Sequence, residues 1–384
     1  MKCNLIDANL NGKRVFLRAD LNLPIEAPNI LNDFKLQSIL PTIDLIQKKG
    51  GKVILATHLG RPKNHEPELS TIHLISWFKD HDYNIKFQDD LNEAIKDSKS
   101  NEDEILLLEN LRFFPGEKNK DPKFAKQLKQ LADFYVNDAF GVSHRDDASL
   151  KALPELFDDQ HKMCGLLINK EILTAEKLIN SPAHPFVLII GGSKIADKIQ
   201  AIQELLDKID TLLLCPAIVF TFLKAQGKEV GNSLVDESSI ELVKRIIQEA
   251  KQKKVEIIFP LDYIIAKDDF NGELSFTDKP EIPESYAGVT IGPKTIELFS
   301  TKIQKAKTVF YNGLMGDLKR PETLESVKDI FKAMDQSQGL SVIGGGESSA
   351  IATMYELNKN NQVSTGGGAL LYFISHKKLP GLDI

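Results

Sequence analysis

Short runs of consecutive apolar residues alternate along the chain with longer segments whose apolar residues recur every three or four positions. The runs, such as K-V-I-L-A-T at 52–57 and V-L-I-I at 187–190, predict strands buried on both faces, and the spaced segments predict helices. In the first half the pattern predicts strands at 14–21, 52–57, 104–108 and 134–137. Helices are predicted between them at 35–48, 72–81 and 121–132. Pro41 falls early in the first helix, where it is tolerated or marks a kink, and Gly50-Gly51 ends that helix. Asp121-Pro122 opens the third with an oxygen cap and a proline at the first helical position. A long helical pattern at 164–179 is followed by Asn-Ser-Pro-Ala-His-Pro, read as a linker. Then the alternation resumes, with strands at 186–190, 211–214, 255–259, 308–311 and 340–343. The matching helices fall at 198–208, 220–226, 237–251, 293–304, 324–336 and 348–358. Strand and helix in alternation predict an α/β protein of two doubly wound, parallel-sheet (Rossmann-like) domains. The expected division is a domain over 1–165, an interdomain helix and linker over 166–182, and a second domain over 183–369.

A length of 384 residues agrees with two domains, since single cores stop growing near about 250–300 residues. The net charge of −6 argues against a general nucleic-acid binder, which needs a basic face. The cysteines, at 3, 164 and 215, are odd in number and widely spaced, so no disulfide framework or metal knot follows. The longest apolar stretch, 212–223, contains Pro216 and is too short to span a bilayer. The start M-K-C-N-L-I-D lacks the apolar run of a signal peptide. A cytoplasmic protein that binds neither membrane nor nucleic acid is expected.

In a parallel sheet, ligands bind beyond the carboxyl ends of the strands. In the first half those ends deliver Asp20 and Asn22, then His58 and Arg61, then Glu109, Asn110 and Arg112, then Asn137, Asp138, His144 and Arg145. A single arginine or histidine after a strand is usually a solvated loop residue. Three arginines and two histidines from four strand ends make a small-polyanion site the better reading, because guanidinium forks match phosphate and carboxylate oxygens. In the second half, V-L-I-I-G-G-S-K is either an ordinary strand-to-helix turn or an anion cradle, with Lys194 and Lys198 one helical turn apart. The other ends carry Asn312-Gly313 and Gly344-Gly345-Gly346-Glu347, where Glu347 is a metal ligand or a helix cap. Neither G-x-x-x-x-G-K-[ST] nor G-x-G-x-x-G is present, which disfavours a standard P-loop NTPase and a dinucleotide dehydrogenase. One domain holding an anionic small molecule and another a nucleotide phosphate would suit phosphoryl transfer.

Taken together, R-A-D-L-N-L-P (18–24), H-L-G-R-P (58–62), L-L-E-N-L-R-F (107–113), V-N-D-A-F-G-V-S-H-R (136–145), I-G-G-S-K-I-A-D-K-I (190–199), Y-N-G-L-M-G (311–316) and I-G-G-G-E-S-S-A (343–350) resemble the phosphoglycerate kinase family. Further matches at 220–227, 291–299, 363–369 and 379–381 keep the family's order along essentially the whole chain. The resemblance implies reversible phosphoryl transfer between 1,3-bisphosphoglycerate with Mg-ADP and 3-phosphoglycerate with ATP, by hinge closure of two domains. It implies that Asp20, Asn22, Lys35, His58, Arg61, Arg112 and Arg145 bind phosphoglycerate, and that Lys194, Lys35 and Arg145 serve catalysis. Gly192, Lys194, Lys198, Asn312, Lys319, Gly344, Gly345, Gly346 and Ser348 would hold the nucleotide, and Glu347 the Mg2+. It also implies that 370–384 returns to the first domain, and that a monomer acts on small molecules.

The departures from the family pattern concentrate in the nucleotide half. Lys35 replaces an arginine, keeping the charge and losing the fork. Asp147 replaces a histidine, and the adenine slot, usually glycine-rich, reads C-P-A-I-V at 215–219. Lys319 stands where a glutamate usually accepts the ribose hydroxyls, and Glu347 where an aspartate usually binds metal. The alternative these departures raise is a diverged paralogue that binds phosphoglycerate but is inactive or takes another phosphoryl donor.

Overall fold

The computed structural model describes residues 5–100, 104–355, 357 and 360–383. Contacts divide them into two compact units: one runs to Leu173 and includes the chain from Lys378, and the other is Thr174–Lys377. The first unit contains strands β1 (Arg14–Ala19), β2 (Ile25–Glu26), β3 (Asn29–Ile30), β4 (Lys52–Ala56), β5 (Ile85–Gln88), β6 (Ile105–Leu108), β7 (Phe134–Asp138) and β8 (Lys162–Cys164). Its helices are α1 (Phe34–Lys48), α2 (Ile75–Asp80), α3 (Leu91–Asp97), α4 (Pro115–Lys118) and α5 (Pro122–Lys129). Helix α6 (Leu166–Asn180) carries the chain into the second unit.

Six strands of the first unit form one sheet in the order β5-β6-β4-β1-β7-β8, and their pairings are parallel. Alternate residues of each strand enter opposite cores. Val15, Leu17, Val53, Leu55, Leu107 and Val136 pack on one face. Phe16, Ile54, Leu106, Leu108 and Tyr135 pack on the other. That is why these strands read as unbroken apolar runs. The order reverses at β1, so the crevice beyond the ends of β1 and its neighbours is the natural ligand site.

The second unit has β9 (Phe186–Gly192), β10 (Thr211–Ala217), β11 (Glu256–Ile258), β12 (Tyr263–Lys267), β13 (Leu274–Thr277), β14 (Tyr286–Ile291), β15 (Thr308–Asn312), β16 (Leu340–Gly344) and β17 (Asn361–Val363). Its helices are α7 (Ile195–Leu205), α8 (Ile218–Ala225), α9 (Ile240–Lys253), α10 (Pro293–Lys305), α11 (Glu325–Gln336), α12 (Gly346–Ala352) and α13 (Gly367–His376). The parallel sheet runs β11-β10-β9-β15-β16-β17, a doubly wound order with its switch between β9 and β15. Val187, Ile189, Val309, Tyr311 and Ile343 line the core on one of its faces.

Several boundaries differ from the pattern-based expectation. Residues 162–164 form β8 at the sheet edge, so the helix expected from 164 starts at Leu166. Helix α7 begins at Ile195, three residues early, because Lys194 is its cap residue. Residues 263–291 build a separate antiparallel sheet, β13-β12-β14, which the apolar pattern does not announce. Helix α12 stops at Ala352; positions 356 and 358 of the helix expected over 348–358 lie outside the described residues, as do residues 1–4 with Cys3. The C-terminal return starts later than 370. Helix α13 belongs to the second unit, and only the chain from Lys378 joins the first, where Gly381 N donates to Ser143 O at 2.8 Å.

Candidate active site

In the first unit, Asp20 leaves β1 at the switch point and is nearly buried. Lys35, from the first turn of α1, donates its Nζ to Asp20 Oδ2 at 2.7 Å. Asn22 accepts the Gly60 N–H at Oδ1 over 2.8 Å, tying the loop after β1 to the loop after β4. His58 is buried in that second loop, and Arg112 donates an Nη1 hydrogen to Gly60 O. Arg61 is exposed beside Gly60, and Arg145 is half-buried.

The electrostatics of this cluster are set by cations under restricted solvation. Burial favours the neutral acid at Asp20, yet the Lys35 ammonium, by its charge and its hydrogen bond, outweighs it and holds the carboxyl at about 2. Burial pushes the His58 imidazole well below its usual value; Asp20 opposes that, and Arg18, Arg112 and Lys35 reinforce it. Arg112 is lowered to about 10, first by burial and then by Arg145, with Asp147 partly compensating. Two nitrogens in the cluster, His58 Nε2 and Arg112 Nε, are buried and meet no partner among the described residues. An unsatisfied buried donor carries a penalty of about 1–3 kcal/mol that an incoming anion removes.

Not every polar residue at these strand ends is available. Glu109 accepts from Ser70 Oγ at 2.7 Å, Thr71 N at 3.0 Å and Asn110 N at 2.6 Å. Asn110 donates to Leu59 O and Leu69 O, and Asn137 donates to Gly381 O at 3.1 Å. These three are loop scaffolding. Sequence reading missed Arg18, Glu117 and Ser149, a buried network below the cluster, because a polar residue within or just outside an apolar run carries no signal of its own. It also gave no role to Lys118, whose Nζ reaches Asp147 Oδ1 at 2.9 Å.

In the second unit the chemistry gathers at the β9/β15 switch. Gly192 has φ +80°, and a Cβ there would sit 2.9 Å from Lys198 Nζ. Gly313 has φ +96°, and a Cβ there would lie 2.0 Å from Gly191 O. Both positions therefore favour glycine for conformation, and Gly313 needs it for space as well. Lys198 is folded against this turn and nearly buried, while Lys194 is exposed at the cap of α7. Burial, and then Lys194, lower the Lys198 ammonium to about 8, with Glu347 and Asp197 opposing. Asn312 is buried, and its Nδ2 meets no partner among the described residues. Gly344 ends β16, Gly345 with φ +110° caps α12, and Gly346 opens it. Ser348 is buried in its first turn, and Glu347 there is exposed. Lys319 is exposed in a turn where its N–H donates to Asp317 Oδ1 at 2.9 Å. Ala217, in the expected adenine slot, pairs with Gly192 across β10 and β9.

A basic strand-end cluster on one doubly wound sheet and a glycine-lysine turn at the switch point of another suit a two-unit α/β phosphotransferase. The family model described as phosphoglycerate kinase matches residues 5–377. The chain belongs to the phosphoglycerate kinase family. It is 39% identical to the phosphoglycerate kinase of Dictyoglomus turgidum over 388 residues, covering 99% of this chain and 97% of that protein. It is 38% identical to that of Finegoldia magna, covering 100% and 98%. Two solved structures are similar throughout. Phosphoglycerate kinase from Pyrococcus horikoshii OT3 has a TM-score of 0.83 at 28% identity, covering 100% of this chain and 98% of that one. Phosphoglycerate kinase from Coxiella burnetii has a TM-score of 0.80 at 28% identity, covering 98% and 97%. The activity is thus kinase transfer of phosphate to a carboxyl group, on small-molecule substrates that include a nucleotide. These likenesses lend nothing to the inactive or donor-switched alternative. No helix among the described residues is long and apolar enough to cross a membrane.

Proposed function

We propose that the first unit binds the phosphoglycerate and the second the Mg-nucleotide, with Lys194 neutralising the phosphoryl group in transit. The observation that carries this reading is the set of buried nitrogens that meet no partner among the described residues: His58 Nε2 and Arg112 Nε in one unit, Asn312 Nδ2 in the other. Asp20, Asn22, Lys35, Arg61 and Arg145 complete the acceptor site, with Lys35 acting as a point charge where a fork would clamp two oxygens. Lys198, Asn312, Ser348 and the backbone of Gly192 and Gly344–Gly346 hold nucleotide phosphates. Phosphoryl transfer needs little covalent work from a protein, so positioning and charge carry the rate, and hinge closure would bring donor and acceptor together. The chain's net charge of −6 supports action on small molecules without nucleic acid, and a cytoplasmic monomer is proposed with it.

Glu347 fits the magnesium. Mg2+ is usually held through one or two carboxylates together with substrate phosphates and water. Glu347 is exposed, stands in the first turn of α12, and is an electrostatic neighbour of Lys198. When bound, the ion would draw charge off the nucleotide's phosphate oxygens. The direct test is a coupled assay with 3-phosphoglycerate and Mg-ATP, in which turnover is expected; none at millimolar nucleotide would overturn the reading.

Two further outcomes follow from the second unit. Lys198 sits at about 8 in the folded chain against an ordinary 10.5, so slightly above pH 8 it has lost its proton in most molecules. A nucleotide phosphate favours the charged ammonium and raises that value, so Mg-ADP binding there takes up a proton. Calorimetry in two buffers of different ionisation heat should show this uptake near pH 8.5–9 and not near pH 6.5, and Lys198→Arg should abolish it. At Lys319 the charge opposes the usual role of accepting ribose hydroxyls. Lys319→Glu is expected to tighten Mg-ADP by about tenfold, the worth of one hydrogen bond to a charged group. Unchanged affinity in a titration would mean that the ribose is not held by this turn.

A further inference from the structure

Arg18 lies in β1 with 1% of its surface exposed, and its guanidinium is turned to partners within the protein. Nε donates to Ser149 Oγ at 2.7 Å, and Nη1 donates to Ala19 O. Nη2 lies 3.4 Å from His58 Nδ1 and 3.8 Å from Glu117 Oε1. Glu117 in turn accepts Ser149 Oγ at 2.6 Å and Ser149 N at 2.9 Å, so the guanidinium stands on a buried carboxylate–serine base.

A guanidinium offers hydrogens and no lone pair. The contact with His58 can therefore be a hydrogen bond only if Nδ1 is the acceptor, which puts the ring's proton on Nε2. That Nε2 is the buried ring nitrogen without a partner among the described residues. We propose that Arg18 is a positioning residue: seated on Glu117 and Ser149, it fixes His58 as the neutral tautomer protonated at Nε2, whose N–H donates to bound phosphoglycerate. The inference rests on the assignment of His58 to the phosphoglycerate site.

The charges around the ring agree. Protonating Nδ1 would set an N–H against Arg18 and add a cation beside Arg18, Arg112 and Lys35, with Asp20 opposing. A neutral donor suits an acceptor site already rich in cations. It supplies direction, through an oriented N–H, where a further positive charge would add to the repulsion among the arginines. It also frees substrate binding from histidine titration at neutral pH.

The test is nitrogen-15 NMR of histidine-labelled protein without ligand, with the His58 signals assigned by their loss in His58→Gln. The expected spectrum has a pyridine-like Nδ1 and a pyrrole-like Nε2, unchanged across the range where histidine ordinarily titrates, about pH 5.5 to 7.5. A proton on Nδ1, or an ordinary titration, would overturn the tautomer. Adding 3-phosphoglycerate should shift the Nε2–H signal. A correct tautomer that the ligand leaves unmoved would instead overturn the assignment of His58 to the site, and the donor role with it. Arg18→Lys keeps the charge and loses the fork. It should raise the phosphoglycerate KM about tenfold with kcat little changed, and give KM a new inflection near the ordinary histidine value. A fall in kcat with KM and its pH profile unmoved would overturn the positioning role. The unaltered protein's spectrum decides the tautomer even if that variant does not fold.

Discussion

Lys194→Met should lower kcat by at least about a thousand-fold while the chain still folds and still binds both substrates. Preorganised charge aimed at a transferring phosphoryl group is worth about 10²–10⁵ in rate, because it meets charge that is exposed only in the transition state. Lys194, proposed for that role, is exposed at the cap of α7, and its side chain makes no capping bond to its own helix, so its removal takes nothing from the core. The coupled assay at saturating substrates gives kcat, and calorimetry gives Mg-ADP affinity. A loss confined to KM would assign Lys194 to ground-state binding. The variant carries a second signature. Lys194 helps hold the Lys198 ammonium down at about 8, so proton uptake on Mg-ADP binding should move to higher pH.

Glu117→Ala should destabilise the first unit by about 3–5 kcal/mol, the usual result of removing one partner from a buried charge pair. Glu117 is fully buried and accepts two hydrogen bonds from Ser149 while facing Arg18. Alanine leaves the guanidinium without its counter-charge in a place water does not reach. Burial raises the Glu117 carboxyl above its usual value, a sign of how much desolvation the network already bears. The measurement has a convenient reporter, since the single tryptophan, Trp77, lies in the first unit. Its fluorescence in urea should show a lower midpoint with an unchanged slope. Glu117→Gln keeps the shape and an acceptor and should lose less than half as much. A loss under about 1 kcal/mol for the alanine variant would mean that Arg18 is held by Ser149 and the backbone alone.

The strands that were legible in the sequence are those buried on both faces. V-L-I-I at 187–190 and I-L-L-L at 105–108 leave no alternative, because a run of that length with no polar face must lie between two cores. The strands that escaped notice lie at sheet edges or outside the parallel sheets. I-K-F-Q at 85–88 and K-M-C at 162–164 pair on one side only, so half their positions need no apolar residue. The β12–β14 sheet is held by cross-strand pairing between segments that carry no helical or alternating signal of their own. The same distinction runs through the site. Strand ends are predictable, so Asp20, His58, Arg112 and Asn312 could be singled out from their positions. Whether such a residue is committed to its own loop or left open to a ligand depends on neighbours distant in sequence. Glu109 is satisfied by Ser70 and Thr71, whereas His58 Nε2 is left without a partner among the described residues.

By itself the sequence determined two doubly wound sheets, the polar residues at their strand ends, and the glycine-lysine turn at 191–194. Those follow from local pattern, since burial on two faces and tight turns impose their residue types directly. The tertiary structure alone decided which polar groups are already partnered, how far burial shifts Lys198 and Asp20, and that Arg18 stands beneath His58 on Glu117 and Ser149. Arg18 and Ser149 are 131 residues apart, and no period or motif relates them. Only the closing of the sheet brings them within hydrogen-bonding distance, and only burial makes that contact count.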